Sequence, residues 1–176
     1  MGRFFLHAVG RDRPGIVANV ARALADIGCN LEDSRMTILQ GHFAVMLIVD
    51  APDTADGTVI EHQLEPIAEE LDLLIAVRTF SEPTGAAAEA AGPALTVSVH
   101  GGDHPGIVAR IGEEVAACGG NVIDLTSHVD AGATPSYNMV FSVRLPRGAD
   151  AVELRRRLGR AAADLELRCV VTTEDR

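Results

Sequence analysis

The sequence predicts an α+β fold that occurs twice along the chain, each copy having the element order βαββαβ. A copy of this kind forms a four-stranded antiparallel sheet with two helices on one face. Two observations support the prediction: the chain contains an internal repeat, and the hydrophobic period changes between strand and helix in the same order in both copies.

The repeat emerges when the sequence is aligned with itself. At a shift of 91 residues, positions 10–40 fall on positions 101–131 with eleven identities, among them Gly15 with Gly106. After an insertion of three residues near positions 131–133 the shift becomes 94, and the second halves of the copies stay in register. A register kept over both halves indicates a duplicated domain.

The domain boundaries follow from the repeat. The first domain covers residues 1–80 and the second covers residues 95–176 of the 176-residue chain. Residues 81–94 between them are mostly small, with Gly and Pro at intervals, which is typical of a linker.

The first strand and helix of each copy show two different periods. Residues 4–9 are an apolar run suited to a central strand, and in residues 95–99 Leu and Val alternate with Thr and Ser. In the turn that follows, Asp12 can cap a helix and Pro14 suits its first turn. The helix ends at Gly28 and has its apolar residues on one face: Ile16, Val17, Val20, Leu24 and Ile27.

The rest of the first copy is predicted as a hairpin, a second helix and a final strand. Residues 30–39 and 42–49 flank Gln40-Gly41, a pair typical of a tight turn between antiparallel strands. An amphipathic helix is predicted over about 56–71. Residues 73–80 then form the last strand and complete the βαββαβ order.

Composition excludes several classes of function. All 15 basic residues are arginine, so mechanisms that need a lysine, such as Schiff-base catalysis, are excluded. The net charge of −10 argues against direct nucleic acid binding, which requires clustered positive charge. No apolar run approaches the roughly 18 residues of a membrane span, and no signal pattern begins the chain. We therefore expect a cytoplasmic protein that does not bind membranes.

Several known functions of this fold class can also be excluded for this sequence. An RNA-binding domain of this order needs exposed aromatic residues on its central strands, and the corresponding positions here are aliphatic. A metallochaperone needs paired cysteines at the first turn, whereas Cys29, Cys118 and Cys169 form no ligand motif. We expect buried thiols, with no metal and no cofactor. An enzyme acting on a small anion at the first turn is the least favoured alternative, because Arg11 and Arg13 are replaced in the second copy.

The turn after the first strand has groups that could bind a ligand in both copies. A helix that opens with Pro-Gly-Ile-Val presents backbone N–H groups and partial positive charge, which attract a carboxylate. Gly15 and Gly106 lack a Cβ and allow close approach. Asp12 and Asp103 place a carboxylate there for an ammonium group. An asparagine opens the second strand, where we expect it to lie next to the same turn.

Together these groups describe a site for an α-amino acid. The asparagines concerned are Asn30 and Asn121. The purely structural alternative is that Asp12 only caps the helix, Gly15 only allows tight packing and Asn30 only tolerates a bend. The recurrence of the whole set in both copies favours the binding site.

At these residues the sequence resembles the ACT domain, a ferredoxin-like regulatory module that binds amino acids. The resemblance rests on Asp-Arg-Pro-Gly-Ile-Val at 12–17 with Gly-Cys-Asn-Leu at 28–31, and on the matching strings at 103–108 and 119–122. The string Gly-Cys-Asn-Leu-Glu-Asp-Ser-Arg at 28–35 and Glu-Leu-Asp-Leu-Leu-Ile at 70–75 look especially like the glycine cleavage system transcriptional repressor family, whose members are free-standing tandem ACT proteins.

The resemblance implies ligand binding near the first turn, at a seam where ACT domains pair side by side. It implies a small amino acid as effector, glycine or serine being the first to test, and a regulatory protein as partner. The residues carried over or adjoining them are Asp12, Arg13, Pro14, Gly15, Ile16, Val17, Asn30 and Leu31, and in the second copy Asp103, His104, Pro105, Gly106, Ile107, Val108, Asn121 and Val122. The second copy carries an inserted loop over 130–136, so equal binding by both copies is not implied.

The sequence thus predicts a non-enzymatic regulator that binds an amino acid and controls a partner, with transcriptional control of glycine cleavage as the implied system. The alternative is a constitutive protein-interaction module without a functional ligand site. The two copies could pair within one chain, and the unpaired outer strand edges also allow a homodimer. The arginines at 155–157 and Arg160 are interpreted as a solvated helix face paired with Glu153 and Asp164.

Overall fold

The computed structural model describes residues 2–81, 91–130 and 135–173. Most of the predicted linker and most of the inserted loop lie outside these ranges. The chain divides into two compact units, Met1–Glu82 and Pro83–Arg176, each described by itself below. The fourth strand ends at Thr79 and the fifth begins at Ala91, so residues 91–94, which the predicted linker included, belong to a strand.

Both units have the predicted βαββαβ order. In the first unit the elements are β1 (Gly2–Arg11), α1 (Ile16–Asp26), β2 (Asn30–Leu39), β3 (His42–Ala51), α2 (Gly57–Leu71) and β4 (Leu73–Thr79). In the second unit they are β5 (Ala91–Gly102), α3 (Ile107–Ala117), β6 (Asn121–Asp130), β7 (Ser136–Pro146), α4 (Ala151–Asp164) and β8 (Arg168–Thr173). The duplicated α+β fold is therefore confirmed.

Each unit has one antiparallel sheet, with strand order β2-β3-β1-β4 in the first unit and β6-β7-β5-β8 in the second. The central strands bury every second side chain against the helices, as the alternation predicts. In β3 these side chains are Phe43, Val45, Leu47, Val49 and Ala51. The helices face them with their apolar stripes, for example Ile16, Val20 and Leu24 of α1. One hydrophobic core lies between sheet and helices in each unit.

The outer strands β2 and β6 lie beyond the cover of the helices. Every residue of β2 is exposed, and in β6 all residues but Ser127 are exposed. Both strands carry an irregularity in the same place, between Leu31 and Asp33 in β2 and between Val122 and Asp124 in β6. The helix-facing side of each outer strand is thus open to solvent beside the first helix of its unit.

The helices of each unit begin in two different ways. The second helices carry an aspartate cap: Asp56 accepts a hydrogen bond from the Val59 N–H at 3.0 Å, and Asp150 accepts one from the Val152 N–H at 2.8 Å. The first helices, α1 and α3, have no side-chain cap. The prediction that Asp12 caps α1 is wrong, because the residue at the N-cap is Gly15 and Pro14 lies in the turn before it.

Two arginines of α4 pair with neighbouring carboxylates, and Arg155 donates to the hydroxyl of Thr173 at 2.8 Å. Arg156 Nε donates to Glu153 at 2.6 Å, and Arg157 donates to Glu153 at 3.0 Å and to Glu114 of α3 at 2.9 Å. The hydrogen bond from Arg156, with that from Arg157, lowers the pKa of Glu153 to about 2. The predicted pairing with Glu153 is therefore present, whereas Asp164 lies 3.9 Å from Arg110. The Arg157–Glu114 and Arg110–Asp164 pairs link α3 to α4.

The two kinds of helix start predict different responses to loss of an aspartate. Asp56→Ala removes the cap of α2 and is expected to lower the free energy of unfolding by about 1 kcal/mol. Asp12→Ala removes no cap, so its change is expected to stay within about 0.5 kcal/mol. Urea unfolding of both variants, followed by circular dichroism, checks the difference. An equal loss in both variants would show that Asp12 stabilises the fold.

Candidate functional site

The turn between β1 and α1 is held against the neighbouring hairpin. The Asp12 N–H donates to the carbonyl oxygen of Gly41 at 2.9 Å, which ties the turn to the tip of the β2–β3 hairpin. Gln40 and Gly41 at that tip both have positive φ, 48° and 78°, as the predicted tight turn requires. The Asp12 carboxylate makes no hydrogen bond or ion pair with any residue that the structure describes. It is available to a ligand.

Gly15 sets the conformation of this turn. Its φ is 96°, and the matching Gly106 has a φ of 95°, a region that L side chains rarely adopt. A Cβ on Gly15 would meet only the Asn19 side chain, at 3.7 Å, so the space in front of it is open. The predicted close backbone approach occurs instead at Gly10, where a Cβ would lie 2.6 Å from the carbonyl oxygen of Asp72.

The left-handed glycine leaves the start of α1 uncapped. No side chain of the described residues caps α1, so the N–H groups of Ile16 and Val17 are free to donate hydrogen bonds. They lie at the end of the helix that carries partial positive charge. The Ile16 side chain is buried in the core, so this residue can reach a ligand only through its backbone. The arrangement suits an anionic group such as a carboxylate.

A groove of about 420 Å³ opens at this helix start, between α1 and the outer strand β2. It brings together five of the predicted residues, Asp12, Arg13, Gly15, Ile16 and Val17. Val17 is 53% exposed at its wall. Asp12 and Arg13 provide one charge of each sign at the mouth, and the rest of the lining is apolar or backbone. The predicted Pro14 does not line the groove.

Four lining residues were not predicted: Ala18 and Ala21 of α1, Met36 of β2 and Phe43 of β3. Ala18 and Ala21 lie three residues apart on the helix and are small, which keeps the groove open. Met36 is on the helix-facing side of an exposed strand and is 48% exposed. An apolar residue on that side of an uncovered edge strand was the signal that could have identified the wall.

The structure places Asn30 away from the turn. Asn30 is in register with Asp50 and Arg3 at the start of β1, whereas the turn follows Arg11, eight residues further on. At about 3.3 Å per residue the separation is about 26 Å. The prediction that Asn30 lies next to the turn is therefore wrong, because β2 runs parallel to β1 and begins where β1 begins.

The same correction applies in the second unit. Asn121 is in register with Arg144 and Ala94, whereas the turn follows Gly102, also eight residues away. Val122 is the second residue of the same strand and lies almost as far from the turn. Leu31, the residue next to Asn30, lies at the far end of the α1–β2 groove in a small cavity of about 30 Å³, which it lines together with Val17 and Ala21.

The second unit repeats the turn with different chemistry. Asp103, His104, Pro105 and Gly106 form it, and Ile107 is buried like Ile16. The His104 ring bonds through Nε2 to the carbonyl oxygen of Leu165 at 3.0 Å, so it is tied to the end of α4. Val108 is 47% exposed, as Val17 is in the first unit.

Other chemical groups do not assemble into a site. Among residues 2–81, 91–130 and 135–173, no three His, Cys, Asp or Glu side chains are placed to hold a metal ion. The three thiols are free, and burial raises the pKa of Cys29 and of Cys169, which disfavours the nucleophilic thiolate. None of the helices in the described part of the chain has the length and apolar character needed to cross a membrane.

Comparison with known proteins identifies similar sequences and similar structures. The ACT domain profile matches residues 3–78. The glycine cleavage system transcriptional repressor of Escherichia coli K12 is 30% identical over 151 residues, which cover 84% of this chain and 77% of that protein. An unknown protein from Galdieria sulphuraria is 26% identical, and its crystal structure superposes with a TM-score of 0.82 over 99% of both chains.

A third comparison concerns the fold alone. A crystal structure assigned provisionally to a glycine cleavage system transcriptional repressor has a TM-score of 0.75 at 20% identity, covering 99% of this chain and 98% of that one. Both units are thus ACT-like ferredoxin folds. The sequence match over most of both chains shows that this protein belongs to the family of the glycine cleavage system transcriptional repressor.

Proposed function

We propose that this chain is a non-enzymatic regulator that binds a small amino acid in the α1–β2 groove of its first unit and thereby controls a partner protein. The observation that carries the proposal is the uncapped start of α1, with the unpaired carboxylate of Asp12 at the mouth of the same groove. Membership of the family supports the regulatory role.

The two charged groups of an amino acid find complementary partners in the groove. The ligand carboxylate bonds to the N–H groups of Ile16 and Val17 at the positive end of α1. The ligand ammonium group lies by the Asp12 carboxylate, and Arg13 adds a second contact for the ligand carboxylate. Groups that lie within one turn of chain can contact both ends of a small molecule at once.

The size and lining of the groove favour a short ligand side chain. Val17, Met36 and Phe43 form an apolar wall, so a long polar side chain would lose its hydration there without gaining partners. Glycine and serine are the first ligands to test. The name of the Escherichia coli relative points to the same choice, since that protein is described as a repressor of the glycine cleavage system.

The partner is a protein rather than a nucleic acid. With 25 acidic against 15 basic residues, the chain repels a phosphate backbone at long range. We propose that the partner is a transcription regulator of glycine cleavage, and that the filled groove alters its association. The ligand would contact both α1 and β2, so its binding energy can bias the position of an edge strand that is otherwise uncovered.

The alternative is a constitutive interaction module. The mostly apolar lining of the groove and the 53% exposure of Val17 favour this second candidate, because such surfaces also accept apolar side chains of a protein. The two functions differ in one respect. A regulator responds to an amino acid, whereas a constitutive module binds its partner equally with and without one.

A substitution that fills the groove tests whether the ligand binds to the first unit. A thermal-shift panel of the twenty amino acids is expected to give one or a few ligands, and a ligand at about 100 times its Kd adds roughly 2.7 kcal/mol and several degrees. Ala18→Leu extends a side chain into the groove and is expected to abolish that shift. Ala109→Leu, at the matching exposed position of α3, should leave it intact. A panel without any shift would favour the constitutive module.

Removing the carboxylate tests the ammonium contact directly. Asp12→Ala is expected to weaken glycine binding by about 10- to 100-fold, because a hydrogen bond to a charged group contributes roughly 1.5–3 kcal/mol. Glycolate, which has a hydroxyl in place of the ammonium group, should lose far less affinity in the same variant. Isothermal titration of both ligands with both proteins makes the comparison. Equal losses for glycine and glycolate would contradict the assignment of Asp12.

A further inference from the structure

The sheet of the first unit has an apolar surface on the side away from its helices. We call this surface the open face and define it by Phe5, His7, Val9, Ala44, Met46, Ile48, Leu74 and Ala76. Leu74 is 68% exposed, Met46 is 48% exposed and Val9 is 38% exposed. Seven of these eight side chains are apolar, so the open face is a contiguous hydrophobic patch, which usually marks an interaction surface.

The second unit provides an internal control for this surface. At the eight matching positions it has Thr96, Ser98, His100, Asn138, Val140, Ser142, Arg168 and Val170. Only two of these side chains are apolar. The same fold therefore forms without an apolar open face, and the apolar residues of the first unit are not required by its own folding.

We propose that a second copy of this chain covers the open face, giving a two-fold dimer in which the sheets of two first units pack face to face. Sheets packed in this way lie about 10 Å apart and interdigitate their side chains. The two-fold axis lies between the two sheets and runs parallel to the strands. A strand to the left of the axis therefore faces the partner's copy of the strand to its right. Thus β1 faces the partner's β3, and β2 faces the partner's β4.

This arrangement matches apolar residues across the centre. Phe5 is in register with Ile48 within one sheet, so in the dimer Phe5 lies opposite the partner's Ile48. By the same rule Val9 lies opposite the partner's Ala44, and His7 lies opposite the partner's Met46. In the Val9–Ala44 and His7–Met46 pairs a larger side chain faces a small or flexible one, and the Phe5–Ile48 pair joins two large apolar side chains.

Charge complementarity fixes the direction of the axis. Asp33 and Arg78 stand at the two ends of one row across the sheet, Asp33–Ile48–Phe5–Arg78, about 14 Å apart. They are too far apart to pair within a chain, but in the dimer Asp33 lies opposite the partner's Arg78, twice by symmetry. An axis perpendicular to the strands that crosses them at the row of Arg35 and Met46 would instead place Arg35 opposite the partner's Arg35.

The second unit lacks this charge pattern as well. The position that matches Asp33 is Asp124, but the position that matches Arg78 is Thr172. A face-to-face pair of second units would therefore oppose a carboxylate to a hydroxyl. The apolar centre and the complementary ends occur together only in the first unit.

The outer side of the whole sheet, with the polar residues of β2 included, measures four strands at about 4.8 Å by some eight residues, roughly 500 Å² per chain or about 1,000 Å² in total. The apolar open face on β1, β3 and β4 is about half of this area. The total lies below the standard size of specific interfaces, so the dimer is expected to be weak. The dimer should be visible as a concentration-dependent equilibrium.

Sedimentation velocity of the full chain between about 1 and 200 µM tests the proposal. Met46→Glu should weaken dimerisation at least tenfold, because it places a charge at the centre of the face. Val140→Glu is the matched control, since Val140 occupies the same position in the second unit and is also 48% exposed. This control should dimerise like the unmodified protein. Both positions are exposed, and circular dichroism verifies that the variants fold.

A charge exchange tests the axis without depending on Met46. Asp33→Arg and Arg78→Asp should each weaken dimerisation, and the double variant should recover it, because the opposed charges are restored with reversed signs. A chain that stays monomeric to 200 µM would overturn the proposal. So would a dimer that survives Met46→Glu, since it would use another surface such as the edge of β2. Failure of the double variant to recover would overturn the proposed orientation.

Discussion

The left-handed conformation of Gly15 is the constraint on which the site depends. With a φ of 96° this residue turns the chain from β1 into α1 without a capping side chain, while Asp12 stays attached to the hairpin through Gly41. The turn therefore presents free N–H groups and a free carboxylate side by side. A conventional aspartate cap, as at Asp56, would have used both groups within the protein.

Duplication gave two copies of one core whose surfaces have since diverged. The buried residues are equivalent in kind, for example Phe43 with Tyr137 and Leu24 with Val115. The groove and the open face differ, because the first unit has Met36 and Met46 where the second has Ser127 and Val140. Surfaces are free to change where packing does not restrict them, so function is best sought where the copies differ in exposed residues.

Most of the fold could be predicted from the sequence, because hydrophobic periodicity and turn residues are local features of the chain. The helix over 57–71 and the hairpin around Gln40-Gly41 follow from spacing and turn chemistry alone. The site was predicted only in part. The contact between α1 and Met36 depends on strand pairing across the sheet, and the error on Asn30 came from the direction of β2 after the α1 crossover. Neither is encoded in a local pattern.

The most direct test of the central claim is a proton–nitrogen NMR titration of the full chain with glycine and with serine. The account predicts saturable shifts of the Ile16, Val17 and Ala18 amides at the start of α1, with smaller changes along β2 around Met36. Shifts that bypass these amides, or spectra unchanged at millimolar ligand, would contradict it.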